Sequence, residues 1–339
     1  MGYDSRIEIA GERAVPIART VRAIFAIAAA ALAAAASAQA PFPAKPVRIL
    51  VGFSAGGSTD VLARLVADEL RKEWSQPVVV ENRVGAGGAL ASEHVAKSVP
   101  DGHTLYVQSA SHTALAALKQ ATLPFDSVKD FTWITLFASA PNVLVVRADS
   151  SLKQLPSYVA AAKAKPGEVT YASSAIGGAL HLAGETFAHL AGIKLNHIPY
   201  KGANEVVAAV LSGTVQSSWS AANAAFPLIS AGKLHAVAVA SEKRFSLMPD
   251  TPTFAELGIK GMKSDTWVGL MGPAGMPRAL AAQIDAQVLK IVARPEVREK
   301  ILKLGAEPMS LSLDPFAAMA RGEVELLTDI ARKAGIKAE

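Results

Sequence analysis

The sequence predicts an α/β fold in which two doubly wound lobes are joined by two extended crossing strands around a cleft. The chain has 339 residues, which suits two domains that each bury their own core. Apolar, β-branched runs alternate with segments of helical periodicity, the pattern typical of parallel sheets. Two long extended segments, Trp133–Val146 and Trp267–Met271, interrupt this alternation. We expect both segments to pass between the lobes.

The first strand–helix series precedes the first crossing segment. Val47–Gly52 is a short β-branched run, and apolar residues then recur at helical spacing from Val61 to Leu70. Ser58, Thr59 and Asp60 are natural N-cap residues for this helix. Further strands are expected at Val78–Val80 and His103–Gln108, and further helices at Ala89–Ser98 and His112–Lys119.

The second series follows the first crossing segment and has the same alternation. Its strands are expected at Glu168–Ser174, His197–Ile198, Val215–Ser220 and Ala236–Ala240, and its helices at Leu180–Ala191 and Asn204–Ser212. The tail is helical over Arg278–Val292, Glu296–Leu304 and Pro315–Ala334. We expect residues 41–140 and 266–339 to form lobe 1, to which the C-terminal helices return, and residues 141–265 to form lobe 2.

The first forty residues have the pattern of a secretory signal peptide. Three arginines within residues 13–22 precede an apolar run, Ala23–Ala36, that ends in the small-x-small sequence Ala38-Gln39-Ala40. A membrane span needs about 20 apolar residues, so this shorter run is not expected to be an anchor. The sequence therefore predicts cleavage after Ala40 and export to a periplasm.

Composition excludes several classes of function. The chain has no cysteine, which rules out disulfide scaffolds, thiolate metal sites and a cysteine nucleophile. Its 34 Lys and Arg against 29 Asp and Glu leave a net charge of only +5, so nucleic acid is not an expected partner. The seven histidines form no H-x-x-x-H or H-E-x-x-H set, and G-x-G-x-x-G is absent after both opening strands. No metal or cofactor is expected, and the protein is expected to be a monomer.

One local design occurs twice, once in each predicted lobe. A strand, a Ser/Gly-rich turn and a helix follow one another over Val51–Asp60 and again over Tyr171–His181. Glycines let backbone N–H groups turn toward a ligand, and a helix N-terminus adds partial positive charge. Two such turns across a cleft can hold both ends of a dicarboxylate. The alternative is that both are ordinary βα loops.

A longer series of motifs makes the interpretation specific, and it extends in order over nearly all of residues 41–339. The motifs are Phe53-x-x-Gly56-Gly57-x-x-Asp60, Val79-Val80-Glu81-Asn82-Arg83-x-Gly85-Ala86-Gly87-Gly88, Pro100-Asp101-Gly102, Tyr171-Ala172-Ser173-Ser174, His181-Leu182-Ala183-Gly184-Glu185 and Pro199-Tyr200. This series resembles the solute-binding components of tripartite tricarboxylate transporters, the Bug family. The resemblance implies a type II periplasmic-binding-protein fold, closure on a small organic carboxylate, and membrane permease subunits as partners.

The resemblance also implies which residues frame the ligand, and the sequence departs from the family pattern at three places. Candidate ligand-binding residues are Phe53, Ser54, Ala55, Gly56, Gly57, Ser58, Thr59, Asp60, Ser173, Ser174, Ala175, Ile176, Gly177, His181, Tyr200, Trp219 and Ser220. Ala55 stands where proline is usual. Gly178 stands where a hydroxyl residue is usual, so we expect Ser173 or Ser174 to supply more of the hydrogen bonds to the ligand. Trp219-Ser220 replaces a usual Phe-Asp, which disfavours amino acids and favours a dicarboxylate or an aromatic carboxylate.

Several roles stay open at this stage. Trp219 is either an apolar wall of the cleft or a core residue, His181 is a hydrogen-bonding residue or a ligand contact, and Asp60 caps its helix or contacts the ligand. Gly52-Phe53-Ser54-Ala55-Gly56 also matches the G-x-S-x-G elbow of α/β-hydrolases, with Ser54 as nucleophile, but it lies on the first strand and lacks an oxyanion motif. A ligand sensor that feeds a signalling system is a third alternative.

Overall fold

The computed structural model describes residues 42–174, 176–200, 202–334 and 336. All helices and strands named below lie within one compact unit, Lys45–Glu339. The predicted leader and its cleavage site lie outside the described residues. The strands are β1 (Val47–Val51), β2 (Val78–Asn82), β3 (Thr104–Ser109), β4 (Phe131–Arg147), β5 (Thr170–Ser173), β6 (Asn196–Pro199), β7 (Ser217–Ala221), β8 (Leu234–Val239), β9 (Asp265–Pro273) and β10 (Glu307–Ser312). The helices are α1 (Ser58–Trp74), α2 (Ala89–Ala96), α3 (Ser111–Lys119), α4 (Leu155–Ala164), α5 (Ala179–Ala191), α6 (Ala203–Ser212), α7 (Ala222–Ser230), α8 (Arg278–Val292), α9 (Pro295–Lys303) and α10 (Leu313–Ala334).

The strands form two groups that share the long strand β4. In the first group β2, β1 and β3 are parallel neighbours, and in the second β7, β5 and β6 are parallel neighbours. Strand β4 pairs antiparallel with β9 and β10 up to Pro141, and with β7 and β8 from Asn142 onward. The α/β architecture is confirmed. The shared strand β4 is antiparallel to each of its partners, β7, β8, β9 and β10.

The passage between the two strand groups is fixed by one buried amide. The Asn142 side chain donates to Ser264 Oγ at 2.7 Å and accepts from Thr266 Oγ1 at 2.8 Å. Its backbone N–H donates to the Ser264 carbonyl, and its carbonyl accepts from Ala240. Both chain crossings, near 142 and near 264, are therefore tied to each other at one point.

Each strand group has its own aromatic core. In the first group Trp133 packs edge-on against Trp267 and Phe316. In the second group Phe187 and Phe254 pack together with their centroids 5.2 Å apart. Separate cores are what two lobes of this size require.

The C-terminal helices do more than return to the first group. Helix α8 packs on α1, and Arg294 just beyond it forms ion pairs with Glu69 and Glu73 of α1. Helix α10, however, contacts both α3 and α5, with Ala331 buried against Ala114 and Leu182. The last helix thus bridges both groups. Within the described part of the chain, no helix is long and apolar enough to cross a membrane.

Three elements carry weak sequence signals and were not among those expected. Helix α4 is rich in alanine and lysine and has little contrast between its faces. Helix α7 contains Pro227, which usually ends a helix. Strand β10 includes Pro308 and lies at a sheet margin, with its pairing to β4 interrupted by a bulge.

Glu323 of α10 is a partly buried acid that packs against the first group. Its Oε2 accepts from Trp267 Nε1 at 2.7 Å and contacts Thr113 Oγ1 at 2.9 Å. Burial raises the pKa of Glu323 to about 7, with a further contribution from Asp265. Burial likewise raises the pKa of Asp265 to about 6. Since these folded-state pKa values exceed the unfolded ones, the folded state binds protons more tightly, and stability falls as pH rises toward 7.

Replacing Glu323 by Gln removes this titration and keeps the hydrogen-bonding shape. We expect E323Q to raise the free energy of unfolding at pH 8 by about 1–3 kcal/mol and to leave it nearly unchanged at pH 4.5. Urea denaturation at both pH values measures the difference. E325Q, at an exposed position of the same helix, is the matched control. An equal effect of E323Q at both pH values would show that the titration of Glu323 does not cause the pH dependence.

Candidate functional site

The first turn connects β1 to α1 and is organised by Asp60. Helix α1 begins at Ser58, and its N-cap, Gly57, has no side chain to cap it. The Gly56 N–H donates instead to Asp60 Oδ2 at 2.8 Å. Gly56 has φ of +77°, which glycine adopts without strain. The third residue of the helix therefore reaches back to the amide that precedes the cap, much as in a capping box.

Asp60 is anchored from two other sides as well. Its Oδ2 accepts from Arg64 Nε at 2.9 Å, and its Oδ1 accepts from Asn82 Nδ2 at 2.8 Å. Asn82 also contacts the Phe53 carbonyl at 2.9 Å. Burial opposes ionisation of Asp60, but the hydrogen bonds from Arg64, Gly56 and Asn82 outweigh it and lower the pKa of the carboxyl group. Of the two roles open for Asp60, the geometry shows the one that orders the turn.

The second turn connects β5 to α5 and repeats this arrangement with different chemistry. Helix α5 begins at Ala179, and its N-cap is again a glycine, Gly178. The Gly177 N–H donates to His181 Nδ1 at 2.9 Å, and Gly177 has φ of +71°. His181 is the third residue of its helix, as Asp60 is of α1. Ala175, in the middle of this turn, lies outside the described residues.

The backbones of the two turns match closely. Gly57 has φ and ψ of −74° and 165°, and Gly178 has −78° and 167°. In each turn a left-handed glycine precedes an extended glycine, and a side-chain acceptor four residues further on holds the left-handed one. Such a turn leaves the remaining N–H groups at the helix start available to an anion.

Both turns lie where the two strand groups meet. Ser58, directly after the first turn, is hydrogen-bonded to the Asn223 amide of α7 in the second group. Gly177 of the second turn faces α3 of the first group, where a Cβ on Gly177 would come within 2.9 Å of Leu118 Cδ1. The ends of both turns therefore contact the opposite group.

The predicted site residues differ in how far they are exposed to solvent. Ser54, Ala55, Gly56 and Ile176 are exposed, and Phe53, Gly57, Ser58, Ser174 and Tyr200 are partly buried. Thr59, Asp60, Ser173, Gly177, Trp219 and Ser220 are buried. The Ser173 hydroxyl bonds His197 Nε2 at 2.7 Å, and that of Ser220 contacts Ser218 Oγ at 3.2 Å. Of the two serines expected to grip a ligand, Ser174 is the more accessible.

Trp219 lies in the core of the second group. The indole is fully buried, stacks on Phe254 with their centroids 5.4 Å apart, and packs against Phe187. The packing therefore supports the core role of the two left open by the sequence, and not a wall of the cleft. Asn223, in the first turn of α7, reaches the boundary between the groups, where its amide is hydrogen-bonded to Ser58.

Sequence reasoning assigned no role to four side chains that organise the turns. These are Arg64, Asn82, His197 and Asn223. Asn82 lies inside a recognised motif, and Arg64 follows Asp60 by one helical turn, so both had a local signal. His197 and Asn223 reach the turns only through strand pairing and packing, which spacing along the chain does not reveal.

The arrangement can bind an anion, and within the described part of the chain no histidine is hydrogen-bonded to Ser54. The histidines beside the second turn serve Gly177 and Ser173, and His112 bonds the Ser127 carbonyl at 2.7 Å. What the two turns offer is a pair of helix N-termini with glycine-rich approaches. A pair of helix N-termini of this kind is suited to holding an anion.

Comparison with known proteins gives the same class. Residues 62–336 match the family described as "Tripartite tricarboxylate transporter family receptor". The protein BugT of Bordetella pertussis is 34% identical over 297 residues, which is 87% of this chain and 91% of BugT. The structure of Rpa4515 from R. palustris with adipate has a TM-score of 0.82 and 30% identity, over 87% of this chain and 99% of that one. MatC from Rhodopseudomonas palustris with bound malate has a TM-score of 0.78 and 30% identity, over 85% and 99%.

The fold and the matches together define a binding protein with the architecture of periplasmic solute receptors. The chain belongs to the tripartite tricarboxylate transporter receptor family, of which the Bug proteins are members. The resemblance drawn from the motifs is confirmed, and the hydrolase alternative based on Ser54 is set aside.

Removing the Asp60 carboxylate tests the construction of the first turn. We expect D60A to lower the free energy of unfolding by about 1–3 kcal/mol, because the Gly56 N–H, the Asn82 amide and the Arg64 guanidinium all lose their buried acceptor. Urea denaturation measures the loss. D68A removes an exposed carboxylate from the same helix and should cost far less. Equal losses in the two variants would contradict the role given to Asp60.

Proposed function

We propose that this protein captures a small organic carboxylate between its two lobes in the periplasm and delivers it to membrane permease subunits of a tripartite tricarboxylate transporter. Lobe 1 comprises residues 41–140 and 266–339, and lobe 2 residues 141–265. Residues 1–40 act as the leader, which is cleaved after Ala40. The matched turns at Phe53–Asp60 and Ser173–Gly177 carry the proposal, since each supplies a helix N-terminus and both lie at the boundary between the strand groups.

A linear dicarboxylate is the ligand class we favour. Two anion-binding turns, one per lobe, suit a ligand with a carboxylate at each end. The similar proteins Rpa4515 and MatC are described with adipate and with malate, both dicarboxylates. No acidic side chain stands at Trp219-Ser220, so a ligand ammonium group has no counter-charge there. Aromatic carboxylates are the second class to test.

Closure of the lobes is expected to bend the chain at its two crossings. Asn142 ties the crossings together through Ser264 and Thr266, so rotation of one lobe must pivot around this buried point. The hydrogen bond between Asn223 and Ser58, and the approach of Leu118 to Gly177, both span the boundary. These are contacts that a hinge motion would make and break.

Thermal shift with a carboxylate panel tests the ligand class on protein purified from the periplasm after export with its own leader. Adipate, malate, citrate, benzoate and aspartate cover the alternatives. A ligand at 100 times its Kd stabilises the folded state by about 2.7 kcal/mol, which gives a clear rise in Tm. We expect the dicarboxylates to give the largest rise. A flat response, or a response to aspartate alone, would contradict the proposed class.

A pair of glycine variants tests the site. G177A places a Cβ on a left-handed residue of the second turn, against Leu118, and should weaken dicarboxylate binding about tenfold or more, as measured by calorimetry. G192A strains a left-handed glycine at the other end of the same helix, where the Cβ meets no neighbour. The control should leave the Kd unchanged. Equal weakening by both variants would place the ligand elsewhere.

A further inference from the structure

The second turn is held by an imidazole whose protonation state the geometry fixes. The Gly177 N–H can only donate, and it points to His181 Nδ1 at 2.9 Å. His181 Nδ1 must therefore be an unprotonated acceptor, and a neutral ring carries its proton on Nε2. The nearest carboxylate to that Nε2 is Glu185, at 3.9 Å. A second proton, placed on Nδ1, would remove the acceptor that Gly177 uses.

A second histidine supports this ring from behind. His197 of β6 stacks on His181 with centroids 3.9 Å apart and an interplanar angle of 12°. His197 Nε2 bonds the Ser173 hydroxyl at 2.7 Å. The two stacked rings thus hold both ends of the second turn, Ser173 where β5 ends and Gly177 where α5 is about to begin.

The first turn has the same geometry and a different response to acid. There the acceptor is the Asp60 carboxylate, paired with Arg64, which lowers its pKa and keeps it ionised. A carboxylate under these conditions accepts from Gly56 throughout the range in which an imidazole becomes protonated. The two turns therefore differ in the chemical group on which acid acts, a carboxylate in the first and an imidazole in the second.

We propose that His181, backed by His197, is the positioning residue of the second turn: its unprotonated Nδ1 holds Gly177 in the conformation that presents the turn to a carboxylate, and its protonation releases the turn and weakens binding. The binding part of this inference rests on the proposed function. The positioning part concerns the turn alone and can be tested without a ligand.

The surroundings set the direction of the pH dependence. The titratable groups that face the ring are Glu185 on the same helix, His197 on β6 and Tyr171 on β5, whose hydroxyl donates to Glu185 at 2.6 Å. Burial lowers the pKa of His181, partly offset by Glu185. Burial and the neighbouring His181 lower the pKa of His197 to about 3. Both shifts favour the neutral rings, and acidification is the change that removes the hold of His181 on Gly177.

Amide hydrogen exchange tests the positioning role without ligand. In the full protein at pH 7, exchange of the Gly177 N–H should be about tenfold or more faster in H181A than in wild type. H181N should restore protection, because Asp60, at the equivalent third position of α1, shows that a short side-chain oxygen reaches the corresponding amide of Gly56. H189A, at an exposed histidine of the same helix, should leave Gly177 unchanged. Unchanged Gly177 exchange in H181A overturns the proposal.

Affinity as a function of pH tests the binding consequence, with adipate as the probe. Between pH 8 and pH 4.5 the wild type should lose about threefold to tenfold more affinity than H181N, the worth of one hydrogen bond, and H189N should follow the wild type. Comparison at each pH cancels the ionisation of adipate itself. Identical pH profiles for wild type and H181N, or tighter acid binding that depends on His181, overturn the proposal. If adipate does not bind at any pH, the proposed ligand class fails while hydrogen exchange still decides the role of His181.

Discussion

The site depends on one repeated constraint: a left-handed glycine whose N–H is held by the side chain four residues further along the chain. Gly56 with Asp60, and Gly177 with His181, fix the entry into α1 and α5 in nearly the same backbone conformation. Because each N-cap is a glycine, no capping side chain occupies the helix start. The N–H groups there stay free of side-chain caps, which is the condition for receiving an anion.

The rest of the fold serves to bring two such turns to one boundary. Parallel strands in each group place a helix start at the carboxyl edge of the sheet, where open α/β proteins bind ligands. The shared strand β4 and the bridging helix α10 connect the groups. Since the anion is to be met by backbone dipoles, a net charge of only +5 is compatible with an acidic ligand. The side-chain acceptors differ in charge, so the turns are alike in shape and unlike in their response to acid.

Much of this could be predicted from sequence, and the limits have physical causes. Periodicity placed most helices and strands to within a few residues, because apolar faces report directly on burial. Periodicity did not reveal α7, because this helix contains Pro227 and proline usually ends a helix. The glycine pattern located both turns and Asp60. The stacking of His197 on His181 stayed hidden because it depends on the pairing of β5 with β6. The role of Trp219 also stayed open, because the sequence alone does not separate a tryptophan that lines a cleft from one that packs in a core.

The most direct test of the central claim is a crystal structure with the dicarboxylate that binds most tightly. We expect one carboxylate within hydrogen-bonding distance of the backbone amides of residues 54–58, and the other within that distance of the amides of residues 174–178, directly or through one water molecule. The Gly56–Asp60 and Gly177–His181 hydrogen bonds should both be present. A ligand bound away from either turn, or held by charged side chains while the turn amides bond elsewhere, would contradict the account.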